Sequence, residues 1–282
     1  MTRTDAAPDA DRITIRHVRT HEEFVACVEL QSATWGATFR ETVPATILKI
    51  SQRLGGVTAG AFAADGTLVG FVYGMTGVVD GALVHWSDML AVRAGMQNHG
   101  LGRRLKSFQR EVVRALGVTR MYWTYDPLVA RNAHFNINRL GARVSEYVPD
   151  MYGTDTGSAM HGGVGTDRFI VVWPIASANG DAPSASGTAA GRMPDRAPVL
   201  NEGAIDGRHF DVARFDGALP AALRIEIPSD IARLQAESVA DAVRWRANTR
   251  QAFQWALARG YHVDWFEHGA ETGRDFYRLS RD

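Results

Sequence analysis

Apolar residues recur along this chain with two periods, and the switches between them mark out the elements. Residues Ile13 to Val18 read as a short strand. Thr20-His21-Glu22-Glu23 then forms a capping box, in which a Thr hydroxyl and a Glu carboxylate can satisfy the first free amides of a helix. Phe24, Cys27, Val28 and Gln31 follow on that helix. A second helix is expected from about Pro44 to Leu54, with Ile47, Ile50 and Leu54 as its apolar stripe and Gly55-Gly56 as its end. Strand-like runs over 57–63 and 67–75 flank Asp65-Gly66, a hairpin signal. A longer apolar run, Leu83 to Val92, is broken by His85 and Asp88. After it comes RAGMQNHGLGRRL, residues 93–105. Leu101, Leu105, Phe108 and Val112 then recur at helical spacing, with Arg103, Lys106, Arg110 and Arg114 off that stripe, and Gly117 ends the helix.

Val118 to Tyr125 reads as a buried strand stopped by Asp126-Pro127, and 129–140 as a short helix capped by Gly141. Strand-like runs over 142–148 and 168–174 complete an order β-α-α-β-β-β-α-β-α-β-β. From Ala176 to about Leu200 the chain turns to Ala, Ser, Gly, Pro and Asp without periodicity, which is linker chemistry. Beyond it, Leu223 to Ile227, a helix opened by Ser238-Val239-Ala240-Asp241 and ended by Gly260, and aromatic-rich strands over 261–267 and 275–280 make a small β-α-β-β unit. The expected organisation is a loose tail over 1–11, a main domain over 12–175, a linker over 176–200 and a small α/β domain over 201–282. The small unit alone would have a thin core, so docking on the main domain is expected.

Composition changes this picture little. Lys plus Arg and Asp plus Glu each number 31 among 282 residues, so the formal net charge is zero and nothing suggests a nucleic-acid surface. One cysteine, Cys27, allows no intrachain disulfide. No apolar run is long enough for a membrane span, and MTRTDAAPDADR lacks the apolar core of a signal peptide. A cytoplasmic location is the expectation, with neither membrane nor nucleic acid as a partner.

The chemistry concentrates at Gln97-Asn98-His99-Gly100-Leu101-Gly102. Glycines between a strand and a helix let a backbone approach a phosphate, although such a pair is also a common turn. A dinucleotide fingerprint needs a third glycine, and Leu105 stands there; a P-loop needs Gly-Lys-Ser/Thr, and Arg103-Arg104 follow Gly102. Gln97-x-x-Gly100-x-Gly102 instead matches the Gln/Arg-x-x-Gly-x-Gly/Ala signature of the GNAT superfamily of acyl-CoA-dependent N-acyltransferases, which the chain resembles over roughly residues 12–175. The segment Asn132 to Ala142 resembles that family's second signature. DPLVARNAHFNINRLGA, TDRFIVVW, EIPSDI and VRWRANTR are similar to a bacterial branch of predicted acetyltransferases with a C-terminal extension, which hints at amino-acid acceptors and acetyl or succinyl donors.

The resemblance implies an α/β (α+β) GNAT fold, with a mixed, mostly antiparallel sheet flanked by helices, and acetyl-CoA or another acyl-CoA as co-substrate. The implied CoA cradle is Leu90, Ala91 and Val92 on the fourth strand, then Gln97, Asn98, His99, Gly100, Leu101, Gly102, Arg103 and Arg104, with Asn132 near the thiol. The open amides and dipole of a helix N-terminus supply the attraction. Arg103 and Arg104 have a plain alternative as a solvated basic face. Asp88 is the first candidate for the base, with His85 behind it. The family's usual acid, a Tyr four residues before the second signature's Gly, is Ile137 here; Tyr152 or Tyr125 are the replacements, or water serves. A small amine acceptor is expected: an α-amine of pKa ~7.7–8.0 costs about 1 kcal/mol to deprotonate at pH 7, a lysine amine near ~10.4 about 4–5 kcal/mol. His262, Asp264, Glu267 and His268 lack matched metal-ligand spacing, so no metal is expected. Trp245, Trp255, Trp265 and Tyr277 are candidates for a roof over the acceptor pocket or for a homodimer contact. A non-catalytic acyl-CoA-binding or sensing module is the alternative reading.

Overall fold

The computed structural model describes residues 13–97, 99–153, 156–158, 162–175, 197–201, 219–269 and 273–281. The expected tail, most of the expected linker and Asn98 lie outside these. The chain divides into two compact units: Met1–Trp123 with Thr156–Ala159 and Pro174–Ser177, and Thr124–Asp155 with Met160–Trp173 and Ala178–Asp282.

The first unit holds β1 (Thr14–His17), α1 (His21–Trp35), α2 (Ala45–Arg53), β2 (Val57–Phe62), β3 (Leu68–Val79), β4 (Ala82–Val92), α3 (Leu101–Ala115) and the start of β5 (Arg120–Tyr125). Its strands lie in the order β1-β2-β3-β4-β5. The first four pair antiparallel and β5 joins β4 in parallel. The capping box forms: Glu23 N donates to Thr20 Oγ1 at 3.3 Å. The Glu23 carboxylate also accepts two bonds from Arg16, at 2.9 and 2.7 Å, and these pull its pKa down to about 2. Asp65-Gly66 turns between β2 and β3, with Thr67 N on Asp65 Oδ1 at 2.9 Å and Gly66 at φ 85.

Three sequence expectations need correcting in this unit. Strand β3 runs past residue 75 to Val79, because Asp80 and Gly81, at φ 51 and 75, form a second tight hairpin turn into β4. Helix α2 is rotated from its expected phase: Leu48 is fully buried, while Ile47, Ile50 and Leu54 are exposed. Its inner face is anchored by polar groups instead, Ser51 Oγ donating to Gly74 O and Gln52 Nε2 to Val18 O. On α3, Lys106 and Arg110 are buried with Leu101, Leu105, Gln109 and Val113, although both were placed off the apolar stripe.

The second unit begins with the last residues of β5. It continues through α4 (Ala130–Ala133), which passes into a π turn at His134–Arg139, then β6 (Arg143–Val148) and β7 (Arg168–Pro174). The strand order here is β5-β7-β6, with β6 and β7 antiparallel. β8 (Ala222–Ile227), α5 (Ile231–Glu237), α6 (Val239–Leu257), β9 (His262–Gly269) and β10 (Arg274–Ser280) follow, with an antiparallel sheet ordered β8-β10-β9. Phe253 of α6 packs on Phe169 of β7 and Tyr277 of β10, with ring centroids 4.8 and 5.2 Å apart. Tyr277 is thus a core residue rather than a surface aromatic. Helix α5, seven residues long with none fully buried, is an element beyond those expected from the sequence. Residues 197–201 run beside β8, Leu200 N donating to Arg224 O at 2.7 Å. Among the described residues, no helix is long and apolar enough to cross a membrane.

Candidate active site

Two features of the first unit meet at β4. The first is its side toward β5. The parallel ladder with β5 covers Val84–Trp86 against Arg120–Tyr122. Beyond it, Ser87 and then Met89 to Val92 are paired on the β3 side. Leu90, Ala91 and Val92 lie in this stretch, opposite Val72, Phe71 and Gly70.

The second is a bulge. Gly74 faces Ser87, but the next β3 residue back, Tyr73, faces Met89, so Asp88 is the extra residue. The alternation expected for a regular strand is broken there. His85 and Ser87 meet polar side chains of α3, whereas Met89 and Ala91 belong to the core built on Phe24, Cys27, Leu30 and Leu48. Asp88 projects from the bulge with an exposed surface, yet protein atoms surround its carboxyl, as in an open cleft. That crowding raises its pKa; the charge of Glu41 adds to this and a hydrogen bond from Trp86 opposes it.

The glycine segment follows β4. A 3₁₀ turn, Ala94–Met96, is pinned to β3 by Arg93, whose amide donates to Val69 O and whose Nε donates to Leu68 O. Gln97 folds back, Nε2 donating to Val92 O at 3.1 Å, and His99 Nδ1 lies 2.7 Å from Gln97 O. Gly100 takes φ 73 and ψ 2, a left-handed conformation that favours glycine, and opens α3 without a side-chain cap. Arg104 N is the first to close the helix, onto Gly100 O. The amides of Leu101, Gly102 and Arg103 precede that bond, and no acidic residue sits in the first turn. Arg103 is exposed beside them. The Arg104 guanidinium donates to Ile13 O at 2.7 Å. Asn98 lies outside the described residues.

Beneath the bulge runs a buried polar chain. Lys106 Nζ donates to Ser87 Oγ at 2.7 Å, and Ser87 Oγ to Gln109 Oε1 at 2.7 Å. Gln109 Nε2 lies 3.0 Å from His85 Nε2, and His85 Nδ1 lies 2.9 Å from Thr76 Oγ1, which donates to Gly55 O at 2.6 Å. Because Thr76 spends its proton on Gly55, this network assigns the His85 proton to Nδ1. Burial, and then the charge of Lys106, push the His85 pKa down to about 3. His85 is therefore a buried acceptor and not a base open to an incoming amine. Lys106, over the Trp123 ring at 4.1 Å, is brought down to about 7 by burial. These residues carried a signal: two polar positions, His85 and Ser87, two apart in an apolar strand require buried partners, and Lys106 and Gln109 sit one turn apart on the next helix.

In the second unit, Tyr152 follows β6. Its hydroxyl is 2.9 Å from Thr124 Oγ1 and the Arg168 guanidinium stands 5.2 Å from its ring centroid. Tyr125 is buried, its hydroxyl 3.4 Å from Tyr277 Oη, which donates to Pro127 O at 2.9 Å, and burial drives the Tyr125 pKa well up, making it a weaker acid than an ordinary tyrosine. Ile137 is buried in the π turn and Asn132 lies on α4, its carbonyl accepting from Asn136 Nδ2 at 2.8 Å. His262 lies 3.0 Å from Asp264 and His268 2.7 Å from Asp275.

No protein-family model and no curated protein matches the chain. Among solved structures it is similar to a GNAT superfamily phosphinothricin acetyltransferase from Sinorhizobium meliloti in complex with acetyl-CoA. There the identity is 16%, the match covers 58% of this chain and 88% of the other, and the TM-score is 0.46. It is also similar to the ribosomal-protein-S18-alanine N-acetyltransferase from Escherichia coli, at 19% identity over 59% of this chain and 96% of the other, with a TM-score of 0.44. A GNAT-family acetyltransferase from Streptococcus pneumoniae matches at 16% identity over 57% and 98%, with a TM-score of 0.45.

Proposed function

We propose that the chain is a GNAT-type, acyl-CoA-dependent N-acyltransferase that moves an acetyl or succinyl-like group to the amine of a small molecule, with amino acids among the acceptors. The observation that carries this is the junction of β4 and α3: a left-handed Gly100 opens an uncapped helix directly after a strand with one unladdered edge and a bulge. The amides of Leu101, Gly102 and Arg103 suit a pyrophosphate, and Arg103 adds a cation. The Leu90–Val92 edge suits a pantetheine arm hydrogen-bonded like an added strand.

An acyl-CoA supplies the activated thioester. The residues of this chain bind and orient it. A backbone amide of β4 would polarise the thioester carbonyl. Asp88 accepts the amine's proton, directly or through water; its raised pKa brings it closer to that task than an ordinary carboxylate. Tyr152 is the candidate donor to the departing thiolate. A cytoplasmic location fits this reading.

Calorimetric titration with CoA, acetyl-CoA and succinyl-CoA, followed by thiol release with each thioester against amino acids and polyamines, tests the proposal. Micromolar binding and amine-dependent release are expected. Absence of CoA binding would sink the acyl-CoA reading. Binding without release across the panel would favour an acyl-CoA sensor, the reading that Ile137, in place of the usual Tyr, keeps open.

A further inference from the structure

A bulge is a weak point in a ladder, because the extra residue is left unpaired. At Asp88 it coincides with the stretch of β4 that has lost its β5 partner. Asp88 itself is therefore held by neither neighbouring strand, while Ser87 and Met89 on either side stay paired with Gly74 and Tyr73 of β3. The buried chain beneath supplies the missing restraint: Lys106 and Gln109, one turn apart on α3, both bond Ser87, the residue immediately before Asp88. The arrangement needs room, and Gly74 provides it. A Cβ there would stand 2.3 Å from His85 Nε2 and 2.8 Å from Gln109 Nε2. The chain is fully directed, each group donating to the next from Lys106 to Gly55 O, so no member can turn away without stranding a buried polar atom.

The same helix begins at Gly100, and Lys106 lies about 9 Å further along its axis at ~1.5 Å per residue. Helix α3 thus grips the strand just beyond the segment that presents open amides.

We propose that Lys106, Gln109 and Ser87 are positioning residues that lock the β4 bulge to the cradle helix and so fix the distance between the held phosphate and the reacting carbonyl. This rests on the acyl-CoA reading above. The tether does not touch substrate. It predicts a division of labour: losing it leaves the cradle intact and misplaces the carbonyl.

The test uses the full chain with Ser87→Ala, Gln109→Leu and Lys106→Met, and Ser87→Thr as the variant that keeps the hydroxyl. Amide hydrogen exchange is read over residues 87–90 and over α3. Affinity for CoA and kcat with the best amine of the screen are measured alongside. Exchange at 87–90 should quicken at least tenfold in the first three variants while α3 keeps its protection. CoA affinity should stay within twofold, kcat should fall at least tenfold, and Ser87→Thr should behave as wild type. Unchanged exchange at 87–90, or protection lost evenly across the sheet, would overturn the tether. So would kcat and CoA affinity falling together. If Gln109→Leu does not fold, Ser87→Ala, which removes one oxygen, decides alone. Failure of the wild type to bind CoA would remove the acyl-CoA reading, while the exchange data would still decide whether the tether exists.

Discussion

Helices α3 and α6 both bury basic side chains, and they do so in opposite ways. On α6, Arg246 donates two bonds to Asp126, at 2.9 and 2.6 Å. Burial works against this cation, but the charge and hydrogen bonds of Asp126 raise its pKa above the ordinary range. One turn on, Arg250 bonds Asp167 and Asp150. On α3, Lys106 has a hydroxyl and an indole face but, among the described residues, no carboxylate, and burial alone acts on it. The helix starts differ as well. Ser238 caps α6 by accepting from Asp241 N at 3.2 Å, whereas Gly100 leaves the first amides of α3 open. Helix α6 is finished on its own terms. Helix α3 carries two uncompensated costs, a pattern found where stability is traded for function.

The comparison predicts its largest effect at Arg246. Arg246→Met leaves Asp126 in a largely buried site with the Leu128 amide and, among the described residues, the more distant Arg168 cation, 3.6 Å away. A loss of about 3 kcal/mol in urea unfolding is expected, and Asp126→Asn on top should recover part of it. A loss under about 1 kcal/mol would mean that the pairs on α6 do not hold that unit.

At Lys106 the sign reverses. A folded pKa near 7 against 10.5 unfolded means that between these values the unfolded chain binds the extra proton. Stability therefore rises with pH across that window, by up to about 1.4 kcal/mol per unit, and the penalty is complete below pH 7. Lys106→Met should flatten the curve between pH 7 and 9.5 and gain most at and below pH 7. Parallel curves for wild type and variant would show that the amine is not desolvated as the geometry implies.

The same contrast shows what a sequence reveals. Helix α6, with its Ser238 cap and the stripe of Ala242, Trp245, Thr249, Phe253 and Ala256, is readable because local signals and packing agree. The cradle is readable because Gly100 and Gly102 sit between a strand and a helix. Lys106 falls off the α3 stripe in the sequence, yet it is buried, because apolar periodicity cannot recognise a charge buried for its hydrogen bonds. The α2 stripe failed for the same reason, since Ser51 and Gln52 face inward through polar contacts. The bulge left no local mark: it depends on the register of β4 against Gly74, which is information carried by two strands together.

Smaller effects test the helix starts. Gly100→Ala meets no atom within 4 Å, so its cost is conformational, about 1–2 kcal/mol for a left-handed residue with a Cβ. Affinity for CoA should fall with it. Gly95→Ala, equally open and outside the left-handed region, should change stability by less than about 0.5 kcal/mol. Ser238→Ala should cost about 1 kcal/mol, and Ser238→Asp should restore most of it.

The smallest effect is the most discriminating. Arg103 is exposed at the third position of α3, where a carboxylate complements the helix dipole. Arg103→Glu should stabilise the protein slightly, by about 0.3–0.5 kcal/mol at low salt, because it closes a terminus that the native sequence leaves open. The same carboxylate would occupy the field meant for phosphate and replace an attractive charge with a repulsive one, so CoA binding should weaken at least tenfold. A structural reading of the glycine segment as a simple turn predicts the first change without the second. Stability raised and CoA affinity kept would move the phosphate away from this helix and leave its open amides without a ligand.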